Sequence, residues 1–231
     1  MLELCCQPWQ RPNIQRRFPM REILLTVLVA ALAYVIGCFS TGTIISNAQG
    51  VNIRNEGSKN TGASNVLRVL GLKSGLICFL GDFFKAILAC VLGGLLLPGT
   101  TFGIARFGVL LGGLMVIIGH NWPVFYGFKG GKGVACSVAV IVFVDPLWGI
   151  ISVLLCIGVI ALTRYISLGS MTMLLTYMIF MCIAHWGEWF TCLFCIVLFA
   201  LCVIRHRSNI TRLLNGTENK IGQKVKPSTG K

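Results

Sequence analysis

The chain has 231 residues, of which 55% are hydrophobic and 12% charged, and its mean hydropathy is +0.81. Soluble domains carry about 25% charged residues, so this composition excludes an ordinary soluble domain and points to an integral membrane protein. The formal net charge of +13 would suit a nucleic-acid binder, but the basic residues sit in short loops and tails rather than on one soluble face. They read instead as topology signals and anion ligands, and no nucleic-acid partner is expected.

Residues 1–21 form a polar, irregular N-terminal extension with Pro8, Pro12, Pro19 and four arginines, and Met20 stands as an alternative start just before the first apolar run. Residues 22–46 are long enough to cross a bilayer as a helix, which takes about 20 apolar residues. A polar loop over 47–71 follows, with a helix start near its end, and then a second span over 72–97 that carries Asp82 and Lys85. Residues 104–120 make a third span. The run 133–144 is apolar but too short to cross unaided, and Asp145-Pro146 ends it. Segments over 147–162, 171–184 and 189–204 complete the set, with a polar break at 163–170 and Trp186-Gly187-Glu188 suited to a membrane interface. The expected fold is therefore an all-α integral membrane protein of about seven transmembrane helices, some short or re-entrant; six spans with a re-entrant 133–144 is the alternative. A transmembrane domain over 22–204 would be followed by a basic C-terminal segment over 205–231.

Seven crossings put the termini on opposite sides. One side collects Arg54, Lys59, Arg68, Lys73, Lys129, Lys132, Arg164 and the basic tail, and the other collects Arg106 and the N-terminal arginines. The positive-inside rule then places the C-terminus in the cytoplasm and the N-terminus outside. Cys38, Cys78, Cys90, Cys136, Cys156, Cys182, Cys192, Cys195 and Cys202 lie in apolar runs, where free cysteine packs as a small hydrophobe. No disulfide framework is expected, and the C-x-x-C of Cys192 and Cys195, with no second pair, is weak evidence for a metal or redox site.

The stretch from His120 to Ala135 sets two lysines and four glycines between apolar segments. Glycine exposes backbone N–H groups that can converge on an anion, and lysine supplies charge, so a phosphate is the natural guest. The spacing departs from the nucleotide-binding loop G-x-x-x-x-G-K-[ST], and Gly133 replaces the magnesium-binding hydroxyl. A plain cytoplasmic turn is the competing reading. On the deduced topology, this stretch shares one face with residues 52–71, 163–170 and 205–222, all rich in hydroxyls, amides and arginines, the inventory of an anion site. Gly57 to Asn65 would open a helix whose dipole favours anions, with Ser64 or Asn65 as plain caps in the alternative. Asp82 and Lys85, three apart on a helix, either neutralise one another or mark function.

Gly57-Ser58-x-Asn60-x-Gly62-Ala63-x-Asn65-Val66-Leu67-Arg68, Asp82-x-x-Lys85, Gly119-His120-x-x-Pro123-Val124-Phe125-x-x-Phe128-Lys129-Gly130-Gly131-Lys132-Gly133-Val134-Ala135, Ser167-Leu168-x-Ser170 and His206-x-x-Asn209-Ile210-x-Arg212-Leu213 resemble the motifs of the bacterial acyl-phosphate:glycerol-3-phosphate acyltransferase family. The resemblance runs from about residue 22 to 226, with departures at Lys59, Ser64, Cys136, Cys38 and Ser40. It implies a multi-pass enzyme of the bacterial inner membrane with its site on the cytoplasmic side. The implied reaction moves a fatty acyl group from acyl phosphate to the sn-1 hydroxyl of glycerol 3-phosphate, giving lysophosphatidic acid and phosphate, the first step of phospholipid synthesis. The partners are then glycerol 3-phosphate, a long-chain acyl phosphate and membrane lipid.

By the same resemblance Ser58, Arg68, Lys132, Ser167, His206 and Asn209 are the catalytic candidates. Asn60, Asn65, Asp82, Lys85, His120, Lys129, Gly130, Gly131, Gly133 and Ser170 are candidate substrate ligands. Ser58, Arg68 and Lys132 would hold glycerol 3-phosphate; the glycine loop, Ser167, Ser170 and Asn209 would hold the acyl phosphate. A substrate phosphate oxygen or His206 would take the hydroxyl proton. Too few carboxylates lie near the loops to bind magnesium by themselves, so no metal or cofactor is expected. The competing class is a transporter of phosphate or an organophosphate, against which stand the lack of an internal repeat and the crowding of polar groups on one face.

Overall fold

The computed structural model describes residues 20–223. The proposed extension before Met20 and the end of the basic tail lie outside them. The described chain is a helical bundle of α1 (Met20–Cys38), α2 (Thr41–Ala48), α3 (Ala63–Leu96), α4 (Phe107–Asn121), α5 (Val134–Val144), α6 (Pro146–Thr163), α7 (Ile166–Ala184) and α8 (Trp189–Leu214), with a two-residue hairpin pairing Thr100–Thr101 with Ile104–Ala105. The residues expected to open the third span thus belong to this hairpin, and α4 starts only at Phe107.

The first apolar run is broken at Phe39-Ser40. Ser40 caps α2 by accepting from the Thr43 amide, and the Phe39 carbonyl is left for a side chain. The helical pattern of α3 is interrupted at Gly71 (φ 85°, ψ 178°), which separates its first two turns from the membrane-length remainder. α7 begins at Ile166, earlier than expected, because Ser167 and Ser170 fit within its first turns and Ser170 returns its hydroxyl to the Ile166 carbonyl. α8 runs unbroken ten residues past the expected end of the last apolar segment, to Leu214.

Small residues bring the helices together, as in other membrane bundles where backbones pack closely. A Cβ on Gly37 would strike the Val116 carbonyl, and one on Gly119 would strike that of Tyr34, so α1 and α4 touch backbone to backbone. The core is built from Ala86, Ala89 and Cys90 of α3, Val116 of α4, Ala139 and Val140 of α5, and Met173 and Tyr177 of α7.

Among the described residues six helical segments are long and apolar enough to cross a membrane, and α5 is a shorter apolar helix. Eleven residues span about 16 Å, against a hydrocarbon core of about 30 Å. α5 nevertheless links the two ends of the bundle. It leaves the glycine loop at the C-terminus of α4, and Val144 at its end accepts from Arg106, the residue before α4. Asp145 then caps α6 through the Trp148 amide and meets His185 at the far end of α7. Among the described residues, α5 therefore runs from the glycine-loop end of α4 back towards Arg106 at its start.

Candidate active site

Three helices open at one end of the bundle onto a single cavity of about 420 Å³. Ala63 and Ser64 of α3, Val134 and Ala135 of α5, and Ile166 and Ser167 of α7 all line it. Unpaired amides and the dipole make each helix N-terminus attractive to an anion. Arg68, Lys132 and Arg212 add positive charge, against Asp82 and Glu218. The combination suits more than one phosphate.

The cavity collects Ser58, Asn60, Arg68, Asp82, His120, Lys132, Gly133, Ser167, Ser170, His206 and Asn209 from five separate stretches of sequence. Asn65, Lys85, Lys129, Gly130 and Gly131 are not among its lining residues, and their surroundings give them other work. Asn65 is fully buried and ties the loop before α3: its carbonyl oxygen accepts from the Ser58 amide at 2.8 Å, and its nitrogen donates to the carbonyls of Glu56 and Asn60. Lys129 is exposed, and its carbonyl accepts from Arg54. Lys85 pairs with Asp82 at 2.7 Å, the neutralising arrangement their spacing allows.

The glycine loop departs from the expected anion nest. The amides of Gly130 and Gly131 are donated to the carbonyls of Asn121 and His120 at 3.2 and 3.1 Å. Their carbonyls accept from Arg205, whose guanidinium bonds Gly131 O through Nε at 3.0 Å and also reaches Gly130 O at 3.0 Å. Arg205 lies at the same time over the Trp122 ring. The loop is thus a strap drawn onto the end of α4 and onto α8 at Arg205. Glycine at position 131 is demanded by closeness: a Cβ there would overlap the His120 ring, lying 2.8 and 2.9 Å from Cε1 and Cδ2.

Lys132, at the end of the strap, donates to Asn209 Oδ1 at 2.5 Å. Asn209 in turn donates to Glu218 Oε1 at 2.7 Å, and the same carboxylate accepts from Ser167 at 2.8 Å and Arg212 at 2.7 Å. Burial would raise the pKa of Glu218, but these three donors outweigh it and hold the carboxyl below the ordinary glutamate range. Glu218, Arg205 and Arg212 are the members missing from the candidates drawn from the sequence, Arg212 having stood in a quoted motif without a role. A lone acid in a basic tail and an arginine at a helix end are readable only as charges until the fold shows what they touch. His206 Nδ1 lies 2.9 Å from the Cys202 carbonyl. The Cys202 thiol is the more distant neighbour of Nδ1, at 3.4 Å; the nearer carbonyl only accepts, so the geometry favours a proton on Nδ1 and a lone pair on Nε2.

Burial pushes the Lys132 ammonium down to about 8, with Glu218 opposing and Arg212, Arg205 and Arg68 assisting. Without substrate, Lys132 is therefore charged below about pH 8 and neutral above it, and the charged form is the one that attracts a phosphate. Because kcat/KM reports the free enzyme, it is expected to fall about tenfold per pH unit above that point. Initial rates measured across pH check this, and in Lys132→Arg the falling limb is expected to be absent.

Below the polar groups the cavity becomes apolar. Leu72, Leu76 and Phe79 of α3 face Val153, Ile157 and Ile160 of α6 across it. Leu72, Leu76 and Ile157 are more than half exposed on the bundle's outer surface, so the cavity opens sideways where lipid would lie.

A family model described as "Glycerol-3-phosphate acyltransferase" matches residues 27–216. The chain belongs to the glycerol-3-phosphate acyltransferase family. Proteins of that name from Thermoanaerobacter sp. (strain X514) and Clostridioides difficile (strain 630) are 43% and 40% identical to it over 203 and 211 residues, each match covering 87% or 88% of this chain and 98% of the relative. Among solved structures, the glycerol 3-phosphate form of PlsY (YgiH), an integral membrane glycerol 3-phosphate acyltransferase, aligns with a TM-score of 0.78 at 37% identity, covering 85% of this chain and 96% of PlsY. Its lysophosphatidic acid form aligns with a TM-score of 0.75 at 36% identity, over 85% and 95% of the two chains. As a member of the acyltransferase family this chain is an enzyme rather than a transporter.

Proposed function

We propose that the enzyme transfers a fatty acyl group from acyl phosphate to the sn-1 hydroxyl of glycerol 3-phosphate, releasing lysophosphatidic acid and phosphate, with its site at the cytoplasmic surface of the bacterial inner membrane. The observation that carries this reading is the convergence of three helix N-termini with Arg68, Lys132 and Arg212 above an apolar groove open to the side. Two phosphates need the first part and an acyl chain needs the second.

An acyl phosphate is a mixed anhydride with a good leaving group, so aligning the two anions and screening their charge supplies much of the catalysis. Arg68, Ser58 and the start of α3 form the wall suited to glycerol 3-phosphate. Lys132, expected from the sequence to hold glycerol 3-phosphate, is bonded to Asn209 and so joins Ser167, Asn209 and the starts of α5 and α7 in the wall suited to the acyl phosphate. The bare Nε2 of His206 and a phosphate oxygen of the substrate are the two acceptors on hand for the hydroxyl proton. Ser170 also lines the cavity, its hydroxyl donating to the Ile166 carbonyl. The cytoplasmic placement follows from charge: Arg54, Lys129, Lys132, Arg164 and Arg205 all lie at the cavity end, whereas Arg106 and Arg21 lie at the other.

Purified enzyme in lipid nanodiscs, given labelled glycerol 3-phosphate with palmitoyl phosphate, palmitoyl-CoA or palmitoyl acyl carrier protein in turn, tests the donor. Lysophosphatidic acid is expected from palmitoyl phosphate alone. Equal product from either thioester would overturn the donor assignment while leaving the acceptor in place.

A further inference from the structure

Three atoms surround the Lys85 ammonium: Asp82 Oδ1 at 2.7 Å, the Phe39 carbonyl at 2.6 Å and His120 Nδ1 at 3.0 Å. The Phe39 carbonyl is available because the chain breaks between α1 and α2. A carboxylate and a carbonyl only accept, and an ammonium has three N–H bonds, so the third points at Nδ1, which must supply a lone pair. The reverse assignment, a neutral amine accepting from an imidazolium, removes the proton from the stronger base. His120 Nδ1 stands 3.5 Å from Asp82 Oδ1, too far to compete as a hydrogen bond.

The remaining neighbours leave Nδ1 alone. Thr41 donates to Asp82 Oδ1 at 3.2 Å, Cys78 to Oδ2 at 3.8 Å and Cys136 to the Asp82 carbonyl at 3.3 Å. On the far side of the ring, Nε2 faces Gly131, where any Cβ would overlap it, and His120 lines the cavity. Among the described residues no protein acceptor meets Nε2.

We propose that Lys85 is a positioning residue which holds His120 as the neutral Nε2–H tautomer, and that this N–H donates to an oxygen of bound substrate beneath the glycine strap. Lys85, which does not line the cavity, then serves substrate through His120, with Asp82 holding its ammonium at 2.7 Å. His206 is set the opposite way: its Nδ1–H is spent on Cys202, leaving Nε2 to accept. The cavity thus holds one imidazole that donates at Nε2 and one that accepts there. The first suits an oxygen gathering negative charge, and the second suits a hydroxyl losing its proton.

The tautomer is measurable without turnover, so the test stands apart from the identity of the acyl donor. The chain has three histidines, and the His120 signals in 15N-histidine-labelled enzyme in nanodiscs are found by difference from His120→Gln. A protonated Nε2 and an unprotonated Nδ1 are expected, with Nδ1 gaining the proton in Lys85→Met. Since that variant leaves Asp82 buried without its cation, the Asp82→Asn, Lys85→Met double variant is measured beside it, with the same change expected. An Nδ1–H or a doubly protonated ring in the unaltered enzyme, or a tautomer unmoved in both variants, overturns the proposal. Kinetics provide the second readout. His120→Gln, which returns an N–H near Nε2, is expected to stay within about tenfold of the parent kcat, and His120→Leu to lose about a hundredfold. Equal losses would contradict the donor role.

Discussion

Lys132→Met is expected to lower kcat/KM by about a hundred- to a thousandfold, the usual cost of removing one preorganised donor from a site of developing charge, with little change in thermal stability. The side chain keeps roughly its volume and loses its charge and its N–H donors. In the folded protein Lys132 has a single hydrogen bond, to Asn209, and burial already disfavours its ammonium, so its removal does not cost the fold a strong interaction. Activity is what that charge serves. The loss should divide between KM and kcat if, as proposed, the ammonium meets both the bound phosphate and the charge that builds as the acyl–phosphate bond breaks. Initial rates with palmitoyl phosphate and glycerol 3-phosphate, together with a melting curve, check both halves.

Gly131→Ala is expected to abolish activity to within the assay background and to lower stability by about 1–3 kcal/mol, the range for an added methyl in a packed site. The new Cβ would occupy the place of the His120 ring. Either the imidazole leaves its seat against Lys85 or the strap lifts from α4, and in both cases Lys132 moves. Gly158 on α6 has open space where its Cβ would go, so Gly158→Ala is the matched control. There a helix interior gains an alanine, which is stabilising by about 1 kcal/mol, and activity should be unchanged. Thermal unfolding and phosphate release on the two variants separate crowding from a general effect of alanine.

The apolar spans were legible because membrane helices declare themselves by composition alone, and the break at Gly71 fell where the polar loop was expected to end. Helix ends were less legible. Ser167 and Ser170 looked like a loop yet begin α7, and Arg205 to Leu214 looked like a tail yet extend α8, since polar residues in a helix's end turns are indistinguishable from polar residues in a loop. The candidate site was legible as a set of residues but not as a set of roles. Glycine permits both exposed amides and close packing, and here the amides of Gly130 and Gly131 went to α4 carbonyls while the missing Cβ of Gly131 made room for His120. Glu218 had no neighbours in sequence to identify it as the hub joining Ser167, Asn209 and Arg212.

On the proposed assignment the cavity offers two anion-binding walls at once, so both substrates are expected to be bound together before chemistry occurs. Initial rates at several fixed concentrations of glycerol 3-phosphate, with palmitoyl phosphate varied, test this directly. Double-reciprocal lines that intersect, with no burst of phosphate in the absence of acceptor, are the expected result. Parallel lines, with about one equivalent of phosphate released before glycerol 3-phosphate is added, would mean that the acyl group passes first to the protein, and would contradict the account.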